Sequence, residues 1–159
     1  MFKTLKKAQQ GFTIIELLIV IAIIAILAGL VLNNFQGAQA KARDTQRVTD
    51  INNIHSKLEE YYNENNAYPQ TFTQATFPGI DASSLTDADG VTIVINAAVA
   101  DEAAATGTSN PGNTGGEYKY IAYPTGCTNN CTGYVLKTFI ERPSANTTNP
   151  TIKRGLNNS

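Results

Sequence analysis

The most constraining feature of this chain is a nearly unbroken apolar run near its N-terminus, which contains a single carboxylate. Between Phe12 and Leu32, only Thr13, Glu16 and Gly29 are not apolar. A run of about 21 residues is long enough for a helix that crosses the roughly 30 Å hydrocarbon core of a bilayer. A carboxylate inside hydrocarbon costs about 2.5–3.5 kcal/mol. Glu16 is therefore expected to have a specific partner.

The short segment before the apolar run is basic. Its only charged residues are Lys3, Lys6 and Lys7. Because basic residues that flank a membrane span remain on the cytoplasmic side, the N-terminus is predicted to be cytoplasmic. A secretory signal has a shorter apolar region, with its cleavage site on the far side. Here the plausible cleavage point, Gly11, precedes the run, so the mature chain would keep its apolar helix.

This arrangement resembles the type IV pilin-like proteins, which include the pilins, the minor pilins and the pseudopilins of type II secretion. The resemblance covers about the first 35 residues and is carried by the leader lysines, by Gly11 to Glu16 and by the apolar residues after them. It implies that a membrane-embedded aspartyl peptidase cuts between Gly11 and Phe12. The same enzyme would methylate the new amino terminus on Phe12.

Glu16 has a physical reason to pair with the amine that this cut would create. A buried amine and a buried carboxylate are each costly alone, whereas a close pair in a low dielectric recovers much of that cost. We therefore predict that Glu16 docks beside the Phe12 amine of a neighbouring subunit and so fixes the axial register. The alternative is a capping box within one chain, because Thr13 and Glu16 have the required spacing.

The chain is predicted to have four parts. These are a leader over residues 1–11, a transmembrane and polymerisation half-helix over 12–34, an amphipathic half-helix over 35–66 and a head over 67–159. Many relatives carry proline at the position of Asn33. Without proline the helix keeps its backbone donor there, so a continuous or gently bent helix is expected.

The second half-helix is predicted to be amphipathic, because apolar residues recur at spacings of three and four. Asparagines followed by Pro69 should end it near Asn65. The stripe expected to pack on the head comprises Ala38, Ala42, Thr45, Val48, Ile51, Ile54, Leu58 and Tyr61 or Tyr62. The opposite face, expected to meet water or neighbouring subunits, carries Lys41, Arg43, Asp44, Arg47, Asp50, Lys57, Glu59 and Glu60.

The head is predicted to be a small antiparallel sheet of three or four strands packed on the long helix, which gives the α+β pilin fold. Strand-like runs occupy residues 91–95, 117–123 and 133–141. Residues 101–116 are small, polar and glycine-rich, and are therefore expected to form a loop. The polar tail after Pro143 is expected either to add one edge strand or to stay mobile.

The two cysteines, Cys127 and Cys131, favour a disulfide that closes a small loop, as expected for an even count in an extracytoplasmic head. Zinc binding and redox chemistry are the alternatives, but further ligands and the two-residue redox spacing are missing. His55 is the only histidine and is expected at the helix surface or against the head. Asp87 and Asp89 could suggest calcium, which some pseudopilins bind in a loop, but their pattern favours a turn.

The charge and motifs of the chain exclude several functions. The formal net charge is −1, and without the three leader lysines nine basic residues would face thirteen acidic ones, a net charge near −4. An acidic chain without a basic patch gives no electrostatic case for nucleic acid. The head shows no nucleophile elbow, phosphate loop or metal cluster, so neither catalysis nor a cofactor is expected.

The resemblance therefore implies a structural subunit of a type IV pilus filament, acting in motility, adhesion or DNA uptake. Implied partners are other copies of the chain, the prepilin peptidase and methyltransferase, the assembly ATPase and the inner-membrane platform, with membrane lipid before assembly. The precursor should lie in the cytoplasmic membrane and the filament at the cell surface. The alternatives are a pseudopilin or minor pilin of a type II secretion or competence system, and, from another class, a membrane-anchored enzyme or binding module.

Overall fold

The computed structural model describes residues 11–77, 79–111, 117–145 and 149–157, with the backbone alone at Asn33 and Asn34. The long helix α1 spans Ile14–Asn65. The shorter elements follow in chain order: a 3₁₀ turn Ala82–Leu85, β1 Val94–Asn96, helix α2 Glu102–Gly107, β2 Lys119–Tyr123, β3 Gly133–Thr138 and β4 Thr151–Arg154.

By its internal contacts the chain divides into two units, residues 1–39 and residues 40–159. We call the second one the head unit; it includes the C-terminal half of α1. The helical assignment continues through Asn33 and Asn34 without a break, as expected for a chain that lacks proline there. α1 ends at Asn65, as predicted. Asn66 adopts the left-handed conformation at φ 53°, and its N–H donates to the Tyr62 carbonyl at 2.7 Å.

The head unit contains one four-stranded mixed sheet in the order β1-β2-β3-β4. β2 and β3 pair antiparallel, as do β3 and β4. The predicted α+β fold, a long helix on a small sheet, is confirmed. The prediction of a wholly antiparallel sheet is wrong, because β1 runs parallel to β2 with Ile95 opposite Tyr120. A parallel pair needs a crossover connection, and residues 97–118 supply it.

Helix α2 lies within that crossover, where the sequence predicted only loop. The Asp101 carboxylate caps it by accepting the Ala104 N–H at 2.8 Å. A run of three alanines then favours helix. At its other end the buried Lys137 ammonium donates to the carbonyls of Thr106 and Thr108 at 2.7 and 2.9 Å. A capping aspartate before alanines was the signal that sequence reasoning missed.

The strands are shorter than predicted, and the C-terminal tail forms a fourth strand. β1 begins at Val94, because Thr92 instead bridges to Thr86 and the N–H of Ile93 donates to Leu85. β4 pairs with β3 and forms an edge of the sheet, which is one of the two outcomes expected for the tail. Lys153 and Arg154 place positive charge on that edge, and charge of this kind discourages pairing with further strands.

The core of the head unit is rich in aromatic rings. α1 contributes Ile51, Ile54 and Leu58, each at most 1% exposed. The rings of Tyr68 and Tyr134 meet edge-on with their centroids 4.8 Å apart. The other buried members of this cluster are Phe72, Phe77, Ile80, Leu85, Tyr118, Tyr120, Ala122, Cys127, Cys131 and Leu136.

Candidate assembly site

The N-terminal segment presents the predicted cleavage point in irregular backbone. Gly11, Phe12 and Thr13 precede α1, and the Phe12 side chain is 85% exposed. No described residue lies within 4 Å of the position that a Cβ would take at Gly11. Cleavage of the Gly11–Phe12 bond stays a prediction. The leader residues Lys3, Lys6 and Lys7 lie outside the described part of the chain.

Glu16 forms a capping box with Thr13 in the single chain. Its Oε2 accepts the Thr13 N–H at 3.0 Å and the Thr13 hydroxyl at 2.7 Å. The Thr13 hydroxyl oxygen in turn accepts the Glu16 N–H at 3.2 Å. This is the arrangement expected from the capping alternative. Both hydrogen bonds to the carboxylate are accepted by Oε2, so Oε1 takes no part in the cap. Pairing of Glu16 with a neighbouring subunit stays a prediction.

The apolar part of α1 exposes its side chains on every side. All its large apolar residues are at least 47% exposed, from Ile14 at 80% to Val20 at 47%. By length and composition this is a helix that could cross a membrane. A helix that is apolar all round belongs in lipid or among other helices. This part of α1 therefore calls for apolar surroundings, either lipid or other helices.

Arg47 is the centre of an ion cluster in the head unit, and its side chain is fully buried. Its Nη1 lies 2.6 Å from Glu141 Oε1 and 3.1 Å from Asp44 Oδ1. Its Nη2 lies 2.6 Å from Asp89 Oδ2, and its Nε 3.5 Å from Asp87 Oδ2. The four carboxylates come from α1, the loop before β1 and the segment after β3. One guanidinium thus connects three parts of the chain.

This cluster corrects the prediction for the charged face of α1. Asp44, Arg47 and Asp50 were expected to meet water or neighbouring subunits, but they are only 7%, 0% and 6% exposed. Val48, expected to pack on the head, is 38% exposed. Where α1 enters the head unit, its buried face therefore consists of polar residues. They are buried there because other parts of the head unit supply hydrogen-bond and ion-pair partners. Tyr118, for example, donates its hydroxyl to Asp50 at 2.8 Å.

Further contacts of Asp44 and the neighbouring Arg43 extend the cluster along α1. Asp44 accepts the N–H groups of Glu141 and Arg142 at 2.8 and 2.9 Å. Arg43 donates to both Glu141 oxygens, from Nε at 2.8 Å and from Nη2 at 2.7 Å. Such paired bonds fix geometry as well as charge. They hold the segment after β3 against the helix.

Glu59 is a second polar centre, and it joins α1 to the C-terminal tail. It accepts the hydroxyls of Tyr68 and Tyr134 at 2.9 and 3.0 Å, and the Leu156 N–H at 3.2 Å. Because the Tyr134 proton points to Glu59, the 2.6 Å contact with His55 requires His55 Nδ1–H to be the donor. Burial lowers the pKa of His55. His55 is thus a helix-to-head contact, one of its expected places.

The structure joins Cys127 to Cys131 in a disulfide, as predicted. The loop lies in the turn between β2 and β3. Cys131 also pairs with Tyr68 through two backbone hydrogen bonds of 2.8 and 3.1 Å. The bridge therefore fixes the hairpin tip next to the segment that follows α1. Among the residues that the structure describes, no three His, Cys, Asp or Glu side chains form a group suited to a metal ion.

Acid is expected to destabilise the head unit through Glu141. Hydrogen bonds from Arg43, aided by Arg47, lower the pKa of Glu141 to about 2 from its ordinary value of 4.5. A carboxyl whose pKa is lower in the folded state stabilises the fold above the unfolded pKa and loses that contribution as pH falls through the folded pKa. The Tm of the full chain in detergent, followed by circular dichroism, should therefore fall between about pH 5 and pH 2.

The variant Glu141→Gln isolates this effect, because it should have a lower Tm at pH 7 and a shallower loss of Tm in acid. Glu64→Gln, at an exposed position of α1, is the matched control. Asp50 acts with the opposite sign, since burial raises its pKa and favours the folded state as pH falls. It is present in both variants and cancels in their comparison. Equal acid slopes for Glu141→Gln and the unaltered protein would contradict the assignment.

Comparison with known proteins identifies the N-terminal segment. The prokaryotic N-terminal methylation motif matches residues 6–32. Type II secretion system core protein G of Aeromonas hydrophila is 42% identical over 66 residues, which are 42% of this chain and 46% of that protein. The same protein of Pectobacterium carotovorum is 43% identical over 63 residues, 40% of each chain. No solved structure gives a significant match.

A pilus protein is also similar. The type IV wide pilus major component PilA4 of Thermus thermophilus is 48% identical over 59 residues, which are 37% of this chain and 45% of that protein. The chain thus spans less than half the length of these curated relatives.

The chain thus combines a methylation motif at the start of a long helix with a small sheet, an arrangement that resembles the prepilin-like proteins. By this motif and these relatives, the N-terminal segment of the chain is similar to that of the type IV pilin-like proteins. Proteins of that family are structural subunits and not enzymes. The predicted resemblance to this family is confirmed for the N-terminal segment.

Proposed function

We propose that this protein is a subunit of a type II secretion pseudopilus. The observation that carries the proposal is an apolar helical segment, exposed on every side, that lies within the stretch matched by the methylation motif. Relatives named type II secretion core protein G predominate among those found, and they support this reading better than the pilus subunit expected from sequence. The subunit would serve as a building block of a filament and would have no catalytic activity of its own.

The proposed life cycle follows the four parts of the chain. The precursor lies in the cytoplasmic membrane. Its leader, residues 1–11, stays in the cytoplasm because of the positive charges of Lys3, Lys6 and Lys7. The prepilin peptidase cuts after Gly11 and methylates Phe12. The half-helix over 12–34 then moves out of the lipid and packs against the same half-helix of other copies of the chain in a homopolymer. The half-helix over 35–66 and the head over 67–159 form its outer part, and the assembly ATPase and membrane platform drive its growth.

A type IV pilus subunit is the second candidate, since PilA4 of Thermus thermophilus has the highest identity of the relatives named above. The disulfide and the polar loops of the head also suit a surface filament. In that case the filament would act in motility, adhesion or DNA uptake, either as a major subunit or as a minor pilin.

Intact mass and N-terminal sequencing of the protein from the native cell would test both candidates. Material sheared from the surface is compared with the remaining envelope, at natural expression. A chain that begins at methylated Phe12 and stays in the envelope supports the pseudopilus. The same chain as the main component of sheared fibres supports the pilus. An uncut chain that begins at Met1 in both fractions would overturn both candidates and return the protein to the class of plain membrane anchors.

A further inference from the structure

The loop before β1 raises the question of a bound cation. Asp87 and Asp89 flank a tight turn, and Gly90 supplies the left-handed backbone at φ 83°. Some pseudopilins, which this chain resembles, bind calcium in a head loop. A calcium ion requires six to eight oxygen ligands that are free to turn toward it. The fit of these residues can be judged by what their oxygens already contact.

The carboxylates of the loop point to backbone N–H groups and to Arg47 within the protein. Asp87 Oδ1 accepts the N–H groups of Asp89 and Val91 at 2.9 and 3.0 Å. Asp87 Oδ2 is buried and faces Arg47 Nε at 3.5 Å, and among the described residues neither of these two atoms has a hydrogen-bond partner. Asp89 Oδ2 lies 2.6 Å from Arg47 Nη2. The space between the two carboxylates is therefore filled by a guanidinium.

The other side of the guanidinium is filled in the same way. Its Nη1 contacts Glu141 at 2.6 Å and Asp44 at 3.1 Å. All three nitrogens of the group thus face carboxylate oxygen, and the Arg47 side chain is fully buried. A divalent ion at this point would lie beside a buried positive charge at only a few ångströms, where repulsion in a low dielectric is large. The residues present do not fit a calcium ion.

We infer that the Arg47 guanidinium takes the place of a bound metal ion in the head unit, as the buried cation that the surrounding carboxylates bind. Its guanidinium holds the loop at residues 87–91 and the segment at residues 140–142 against α1. The head unit accordingly folds and keeps its stability without any divalent ion. This inference concerns the head unit alone and holds whether the filament is a pseudopilus or a pilus.

Thermal unfolding of the full chain in detergent tests this inference. The Tm of the unaltered protein is measured after treatment with EDTA and again in millimolar calcium chloride. The two values should be equal. A Tm that falls in EDTA and returns with calcium would overturn the inference, and this comparison does not depend on whether any variant folds.

The variant Arg47→Ala makes the test sharper, because it removes the guanidinium and leaves four carboxylates around the vacated space. Its Tm should be far below that of the unaltered protein and should rise with calcium in a saturable manner. Arg43→Ala is the matched control, since it removes a guanidinium from Glu141 but leaves Arg47 in place, and its Tm should not respond to calcium. An Arg47→Ala variant that folds but gains nothing from calcium would contradict the role of the guanidinium as the cation that these four carboxylates surround.

Discussion

Replacing Glu16 by alanine is expected to leave membrane insertion and cleavage at Gly11 intact while reducing incorporation into filaments by more than about tenfold. The apolar helix still spans the bilayer, because the change removes a charge from it. The contact that is lost is the predicted pair with the Phe12 amine of a neighbouring subunit. Its loss would leave that amine as a buried charge without a partner. A loss of only 1.4 kcal/mol per contact corresponds to about tenfold in association, and broken buried pairs cost about 3–5 kcal/mol.

Glu16→Gln separates this pairing from the capping box that the single chain shows. An amide oxygen can still accept the Thr13 N–H and hydroxyl, so the helix start is kept. The amide has no charge to offer an amine. If pairing is the role of Glu16, the glutamine variant should assemble as poorly as the alanine variant.

Assembly is measured as the amount of processed protein in purified filaments relative to the membrane pool. Thr13→Val is the complementary variant, because it removes the hydroxyl from the cap and keeps the carboxylate. It should assemble far better than Glu16→Gln. Normal assembly of Glu16→Gln together with failure of Thr13→Val would instead assign Glu16 to capping alone.

The bounds of the long helix α1 could be predicted from the sequence because their determinants are local. Apolar length sets the span, and the spacing of Thr13 and Glu16 sets the start of the helix. The absence of proline at Asn33 keeps the helix continuous, and Asn66 ends it in a conformation that asparagine tolerates. Each of these features depends on residues only a few positions apart.

The face of α1 that packs on the head could not be predicted in the same way. Periodicity favoured small and apolar residues such as Thr45 and Val48, yet the buried position between them belongs to Arg47. Its partners Asp89 and Glu141 lie 42 and 94 residues away. A charged side chain is buried when distant carboxylates are brought to it. A single sequence does not report that proximity.

The mixed sheet was missed for a related reason. The strand-like run near Val94 has the same pattern whether its neighbour is parallel or antiparallel. The direction was decided by the connection, which crosses over through α2 rather than turning back. The cap at Asp101 and the buried Lys137 stabilise that connection. Direction therefore depended on a helix of six residues that composition alone presented as loop.

Substitution of Arg47 is expected to be among the most damaging changes in the head unit. Arg47→Ala should lower the free energy of unfolding by about 3–5 kcal/mol in metal-free buffer, because removal of one member of a buried ion pair leaves uncompensated charge. The side chain is fully buried, and the side chains of its partners Asp87 and Asp44 are 0% and 10% exposed. Denaturant unfolding of the full chain in detergent, followed by circular dichroism, measures this loss.

Arg43→Ala provides the contrast, since both arginines bind Glu141 but differ in exposure. The Arg43 side chain is 33% exposed, and exposed or half-exposed pairs contribute only about 0–1 kcal/mol. Its removal also leaves Glu141 with a cation, because Nη1 of Arg47 remains 2.6 Å away. The loss for Arg43→Ala should therefore be a fraction of that for Arg47→Ala. Equal losses would mean that Glu141, rather than the buried guanidinium, determines the stability of the cluster.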